Sequence, residues 1–485
     1  MKNQAMLAKH GAIYLVARLL PAVFTLATLA IFTRLLNPEE YGTYSLTILT
    51  AGMINAVFLQ WVPLGVGRYL PDCRSDMEAN KLLCTARFIT LSVSIAAISF
   101  SLVVWFFQDA FNFSIIYYMV GFTCSAQSWY DLNLKVQNAN LHPINYGKVL
   151  ASKSILAFLI GTSAVYLGYS AEGAVIAITL ALLLSSVWSK KTWHGVRWLS
   201  FDKGHLSRLF DYGAPLTITF LLIFIIDASD RFFIDKMIGV HAVGIYSAAY
   251  EITQYSVGTL TSVVHLATFP LLINEFSKNG EEAARVQLKK TFLFILAVSV
   301  PATAGIAVLS SSIAHSFMGV SFSEEASKII PLISIAMLFN SLKSFYFDYA
   351  FQLSSSTGRQ VIPVAVAALI NLTLNFFLIP QYGTLGAAIA TVLAFLSALI
   401  MSVFLGRKVF NMPKLPWKDS TKIILATMLM IIAIKFTEFK NPVIEAIIKT
   451  LVGGCVYSIA LLAINFLGSR QKAVNFLSKI SFHFD

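Results

Sequence analysis

Charge is what this sequence has least of. Only 12% of its 485 residues are Asp, Glu, Lys or Arg, while 57% are hydrophobic and the mean hydropathy is +0.73. An ordinary soluble domain carries about 25% charge, so this chain cannot coat a water-facing surface and a soluble multidomain enzyme is excluded. Cysteine is scarce as well. Cys73, Cys84, Cys124 and Cys455 form no CxxC pair and the eight histidines no HxxxH or HExxH array, so zinc and disulfide frameworks are not expected. No GxxxxGK[ST] occurs, and Gly65-x-Gly67 lacks the strand and helix of a nucleotide loop, so nothing points to ATP use.

What the chain has instead is apolar runs, each near the length of about 20 residues that crosses a bilayer. Bounded by charge or Gly/Pro clusters, they fall at 12–33, 44–64, 84–107, 114–134, 149–168 and 173–189, then at 213–235, 243–270, 291–312, 328–352, 361–380 and 385–405. Two more lie at 421–437, the weakest because Lys422 and Lys435 pinch it, and at 443–467. The first run is too long for a cleaved signal and reads as an uncleaved helix. Sequons at Asn112 and Asn371 lie beside or inside apolar runs and are set aside. The basic residues alternate between sides as real spans require: about 26 of 36 fall on the side of both termini, which the positive-inside rule assigns to the cytoplasm. The net charge of +12 is therefore no nucleic-acid footprint, and no nucleic-acid partner is expected.

The chain also repeats itself. At an offset of 202, Gly11, Gly42, Tyr44 and Ser45 fall on Gly213, Gly244, Tyr246 and Ser247; at 213, Tyr169, Gly173, Ala174, Ile176 and Ala177 fall on Tyr382, Gly386, Ala387, Ile389 and Ala390. The expected fold is an all-α polytopic membrane protein of about 14 transmembrane helices, two parallel six-helix repeats plus two C-terminal helices. The boundaries are a six-helix bundle over 1–190, a basic cytoplasmic linker over 191–212, the second bundle over 213–405, a loop over 406–420, two helices over 421–467 and a tail over 468–485. An even number of spans per repeat gives both copies one orientation, and a cavity between them is expected at the bilayer midplane.

Four stretches carry a resemblance: RLLNPEEYG from Arg34, DYGAPL from Asp211, DRFFIDKMIG from Asp230 with VGIYSAAY, and NFFLIPQYGTLGAAIAT from Asn375. Together they resemble the polysaccharide and O-antigen flippases of the multidrug/oligosaccharidyl-lipid/polysaccharide exporter superfamily. The resemblance implies a bacterial inner-membrane carrier that moves undecaprenyl-pyrophosphate-linked oligosaccharide from the cytoplasmic to the periplasmic leaflet by alternating access. It implies no cofactor beyond H⁺ or Na⁺ as a coupling ion, and a polysaccharide polymerase and chain-length regulator as possible partners. The alternatives are a multidrug or organic-cation antiporter of the same superfamily and, in another class, a membrane polymerase or glycosyltransferase.

Charges inside spans are costly and point to function. Arg18, Arg87, Lys153, Lys343 and Arg231 are candidate cavity cations for the pyrophosphate. Snorkelling competes for Arg18, Arg87 and Lys153, and an i, i+4 ladder with Asp227 and Asp235 competes for Arg231. Glu251, Asp227 and Asp230 are candidate coupling carboxylates, a hydrogen-bonded structural Glu being the other reading of Glu251. Asp348 is a further candidate; five residues from Lys343, about 140° around an α-helix, it should not pair with it. Asp131 and Lys135 read as a structural i, i+4 pair, and His265 as a satisfied core residue. If the charge bias sets the orientation, a fluorescent protein fused in the 406–420 loop is expected to glow, and alkaline phosphatase fused after Lys236 to be active; the reverse pattern would invert the topology.

Overall fold

The computed structural model describes residues 2–107, 115–196, 200–354, 356–437, 439 and 441–466, without the side chains of 2–18, 115–117 and 357. Arg18, Asn112 and the 468–485 tail thus lie outside the described side chains or residues. Every described element is helical: α1 (Lys2–Leu35), α2 (Pro38–Phe58), α3 (Trp61–Tyr69), α4 (Asp76–Phe106), α5 (Ile115–Ala139), α6 (Pro143–Tyr166), α7 (Ala171–Ser185), α8 (Lys190–His194) and α9 (Lys203–Met237). Then follow α10 (Val240–Thr253), α11 (Thr259–Val308), α12 (Ser310–Phe317), α13 (Val320–Leu342), α14 (Tyr349–Leu353), α15 (Val361–Val409), α16 (Trp417–Lys435) and α17 (Pro442–Ala463). The protein is an all-α polytopic membrane protein, with a helix at each of the predicted spans.

Among the described residues, eight helical stretches are long and apolar enough to cross a membrane singly, and α2 with α3, bent by 53°, makes a ninth. Two of the eight each cover two predicted spans, Val240–Val308 and Gly358–Val409. They do so because each is broken at one glycine, Gly280 (φ 78°) and Gly383 (φ 60°), in a region where a side chain would strain the backbone. The 421–437 span is helical but falls below that apolar threshold, as its flanking lysines foretold.

The RLLNPEEYG stretch is a helix start. Asn37 Oδ1 accepts from the Glu40 amide at 2.9 Å, Glu40 Oε2 accepts from the Asn37 amide at 3.0 Å, and Pro38 opens the first turn. This capping box satisfies backbone donors that hydrocarbon could not. It aims α2 so that Gly42 meets Gly244 of α10. A Cβ on Gly42 would stand 2.1 Å from the Val240 carbonyl oxygen, and one on Gly244 would stand 1.9 Å from that of Pro38. Pro38 and Val240 are themselves 202 apart, so the contact is reciprocal. One turn on, Ser45 Oγ donates to Ser247 Oγ at 2.8 Å. The predicted repeat is thus a physical contact between equivalent positions.

Contacts divide the chain into two compact units, Met1–Glu251 with Val364–Ala394, and Ile252–Pro363 with Phe395–Asp485. In the first, residues 190–196 are clasped to α4 and α5: Arg87 donates to the Val196 carbonyl at 3.2 Å, Trp193 Nε1 to Asn133 at 2.7 Å, and Gln137 to Thr192 at 3.0 Å. Asp202 then caps α9, and the His205 amide that it accepts holds its carboxyl below the usual range. In the second, Phe292, Tyr346, Tyr349 and Phe410 lie in one apolar core. Gly42→Ala and Gly244→Ala are each expected to cost about 1–3 kcal/mol of stability through overpacking, measured as a lower melting temperature in detergent. Gly305→Ala, whose Cβ would lie 3.8 Å from Met430, is the control that leaves it unchanged or raised.

Candidate functional site

The DRFFID and VGIYSAAY motifs place an acidic centre between α9 and α10, in the first unit. Asp230 is fully buried. Its Oδ2 accepts from the Tyr246 hydroxyl and from Thr391 Oγ1 of α15, the latter at 2.8 Å. Its Oδ1 has no protein partner. From the preceding residue of α9, Ser229 Oγ donates to Asn371 Oδ1 at 2.7 Å, and Asn375 Nδ2 donates to that oxygen at 3.0 Å, which leaves Asn375 Oδ1 and Asn371 Nδ2 buried without partners. Buried polar atoms are rarely left so, and three on these elements mark a place prepared for something else.

Arg231, the next residue, does not neutralise Asp230. No ion pair involves it among the described residues. The expected ladder with Asp227 and Asp235 is replaced by aromatic packing: the guanidinium lies 4.2 Å from the Tyr250 ring centre and 5.6 Å from that of Tyr246, donates Nε to Ser247 at 3.2 Å, and bonds the Asp227 carbonyl rather than its carboxylate. Asp227 Oδ1 accepts from Tyr250 at 3.4 Å. Glu251 is not isolated either, since Tyr41 of α2 donates to it at 3.0 Å. Asp227, Asp230, Arg231 and Glu251 are therefore brought together on α9 and α10.

No group of three or more His, Cys, Asp or Glu side chains that could hold a metal occurs among the described residues. The groups at Asp230 are oxygens, its own carboxylate and the hydroxyls of Tyr246 and Thr391, a hard set that suits a proton or an alkali cation. Sequence reasoning missed Thr391, Asn371 and Asn375. Asn375 and Thr391 stand at the two ends of the NFFLIPQYGTLGAAIAT stretch, and Asn371, set aside as a sequon, is a buried helix residue.

Residues 31–327 match the family described as polysaccharide biosynthesis protein. The chain belongs to this family. It is 22% identical over 403 residues to the "Putative O-antigen transporter" of Shigella flexneri, covering 79% of this chain and 93% of that protein. It is also 24% identical over 300 residues to the "Probable low-salt glycan biosynthesis flippase Agl15" of Haloferax volcanii, covering 60% and 61%. Among solved structures, the lipid II flippase MurJ in an inward closed conformation has a TM-score of 0.76 at 16% identity, covering 93% of this chain and 98% of that one. An outward-facing MATE multidrug transporter gives 0.55 at 13%, covering 83% and 94%. Both likenesses concern the fold.

In this polysaccharide biosynthesis protein several of the remaining candidates are placed differently from expectation, while His265 is the satisfied residue that was expected. Lys343 and Asp348 do pair, Nζ to Oδ2 at 2.6 Å and buried. The helix runs as a π-turn over Lys343–Phe347, and its wider i, i+5 turn brings the two onto one face. Gln360 at 3.1 Å and Ser402 at 2.8 Å complete the Asp348 carboxylate, so the pair is a satisfied structural unit. Arg87 is buried and donates to the Val196 carbonyl instead of reaching the surface. Lys153 is half-buried, within electrostatic range of Asp131 and Glu251. Asp131 does not pair with Lys135, since Asn55 at 2.8 Å and Gln127 at 2.9 Å occupy its two oxygens. His265 is satisfied by the Tyr349 hydroxyl at 2.5 Å. Lys343→Met is expected to destabilise the protein by about 3–5 kcal/mol by stranding a buried carboxylate. Lys343→Met/Asp348→Asn should recover most of that loss in a detergent melt.

Proposed function

We propose that the protein is a secondary transporter that flips a lipid-linked oligosaccharide, an undecaprenyl-pyrophosphate surface-polysaccharide unit, from the cytoplasmic to the periplasmic leaflet of a bacterial inner membrane. Both termini are cytoplasmic in this reading, and a polysaccharide polymerase and chain-length regulator would take up the product. The names of the relatives support the substrate class, and the absence of an ATP motif leaves an ion gradient as the energy source.

The observation that carries the reading is Asp230. A carboxylate with one oxygen held by Tyr246 and Thr391 and the other unpartnered is what reversible loading of H⁺ or Na⁺ needs. Loading would act on its neighbour Arg231, which bonds Ser247, which bonds Ser45 across the contact between repeats. An ion that prefers one arrangement of this chain biases whether α2 and α10 stay together, and alternating access requires such a bias. Asp227 and Glu251 stand near enough to tune it.

The test is translocation of lipid-linked oligosaccharide in proteoliposomes under an imposed H⁺ or Na⁺ gradient, with rescue of a flippase-null strain as the cellular readout. Asp230→Asn is expected to abolish gradient-driven transport, and Thr391→Val to weaken the ion dependence by about 10–100-fold. Full gradient-driven transport by folded Asp230→Asn would sink the coupling assignment.

A further inference from the structure

A polar recess in the first unit lies apart from the hydrogen bonds of the acidic centre. Where α2 breaks into α3, the Leu59 and Gln60 amides both turn back to the Asn55 carbonyl, at 3.0 and 2.9 Å. This opens a cavity of about 280 Å³ lined by Gln60, Pro63, Asp131, Lys135, Asn138 and Tyr146, all in the first unit. At roughly 30 Å³ per water it has room for about nine, enough for a phosphate or pyrophosphate and too little for an oligosaccharide.

The recess holds one acid and one base, and the two do not pair. Asp131 spends both oxygens on the neutral amides of Asn55 and Gln127. Lys135, one turn further along α5, forms no ion pair among the described residues. Its position is built: the stem lies across Gly67 of α3, where an added Cβ would stand 2.2 Å from Lys135 Cε. An aliphatic stem seated on a glycine and an ammonium left at a polar wall is a cation waiting for an oxyanion, since a half-buried charge without a partner is costly. Lys135 lies four residues from the end of α5, about 6 Å along the axis, at the depth of lipid head groups and on the side of the basic loops.

We propose that this recess docks the phosphate or pyrophosphate head group of an anionic lipid on the cytoplasmic side, with Lys135 as the binding cation and Gly67 as the residue that seats it. Naming that lipid as the transported polyprenyl pyrophosphate rests on the flippase reading; the anion site does not.

The full chain in phosphatidylcholine nanodiscs is titrated with farnesyl pyrophosphate as the probe, and then with phosphatidylglycerol as competitor. Lys135→Met should weaken probe binding by about 10–100-fold, the worth of one charge-assisted contact. Gly67→Ala, which keeps the charge but displaces it, should also weaken it, and Lys135→Arg should keep most of it. Unchanged affinity in folded Lys135→Met and Gly67→Ala overturns the site, whereas displacement of the probe by an equal concentration of phosphatidylglycerol supports the anion site and overturns its assignment to the polyprenyl pyrophosphate. Lys135-dependent binding in a protein that fails to move lipid-linked oligosaccharide would sink the flippase reading and leave the site standing. Transport with intact binding in both variants would do the opposite.

Discussion

Two helix backbones approach so closely at Gly42 and Gly244 that neither position has room for a methyl group, and the acidic centre is arranged around that approach. In hydrocarbon, helices gain little from burying apolar surface against each other, so close backbone packing and polar contacts must hold them. Here both are concentrated at one place, with Ser45 against Ser247 one turn along. Tyr246, between Gly244 and Ser247, reaches Asp230, and Tyr41, next to Gly42, reaches Glu251. The same two turns of helix therefore join the repeats and deliver the hydroxyls of the acidic centre.

The chain uses its few intramembrane charges in two distinct ways. Lys343 with Asp348 and Arg87 with Val196 are closed units in which the charged groups find partners at short range. Asp230 and Lys135 are open: among the described residues one keeps an unpartnered oxygen and the other forms no ion pair. Burial alone does not separate the two kinds, because Asp348 and Asp230 are both fully buried. What separates them is whether the donors around the charge add up, and that depends on which residues the fold brings from afar.

That dependence explains what could be read from the amino acids. Spans were legible because apolar length is a local property, and the 202-residue offset was legible because Gly42 and Gly244 are constrained by each other. The acidic centre was half legible. Asp227, Asp230 and Glu251 stand out as charges in apolar runs, but Thr391, 161 residues from Asp230, is an ordinary threonine until the chain is folded. Asp131 and Lys135 had the spacing of an ion pair, but Gln127 competes for the carboxylate at the same helical spacing, and Asn55, 76 residues away, reaches it only through the fold. Lys343 and Asp348 were misjudged because 100° per residue is a property of the α-helix, and the chain leaves that geometry at this point.

The π-turn at Lys343–Phe347 has a meaning for how this helix can change. One residue added to an α-helix rotates everything beyond it by about 100°, which would turn a core face towards lipid. A π-turn absorbs the extra residue locally, so Asp348, Tyr349 and the helix beyond keep their facing. The ion pair across that turn then makes the length hard to reverse. Deleting a residue between Lys343 and Asp348 would restore regular geometry at the expense of the register in which Lys343 meets its carboxylate, so this stretch should tolerate substitution more readily than any change in length.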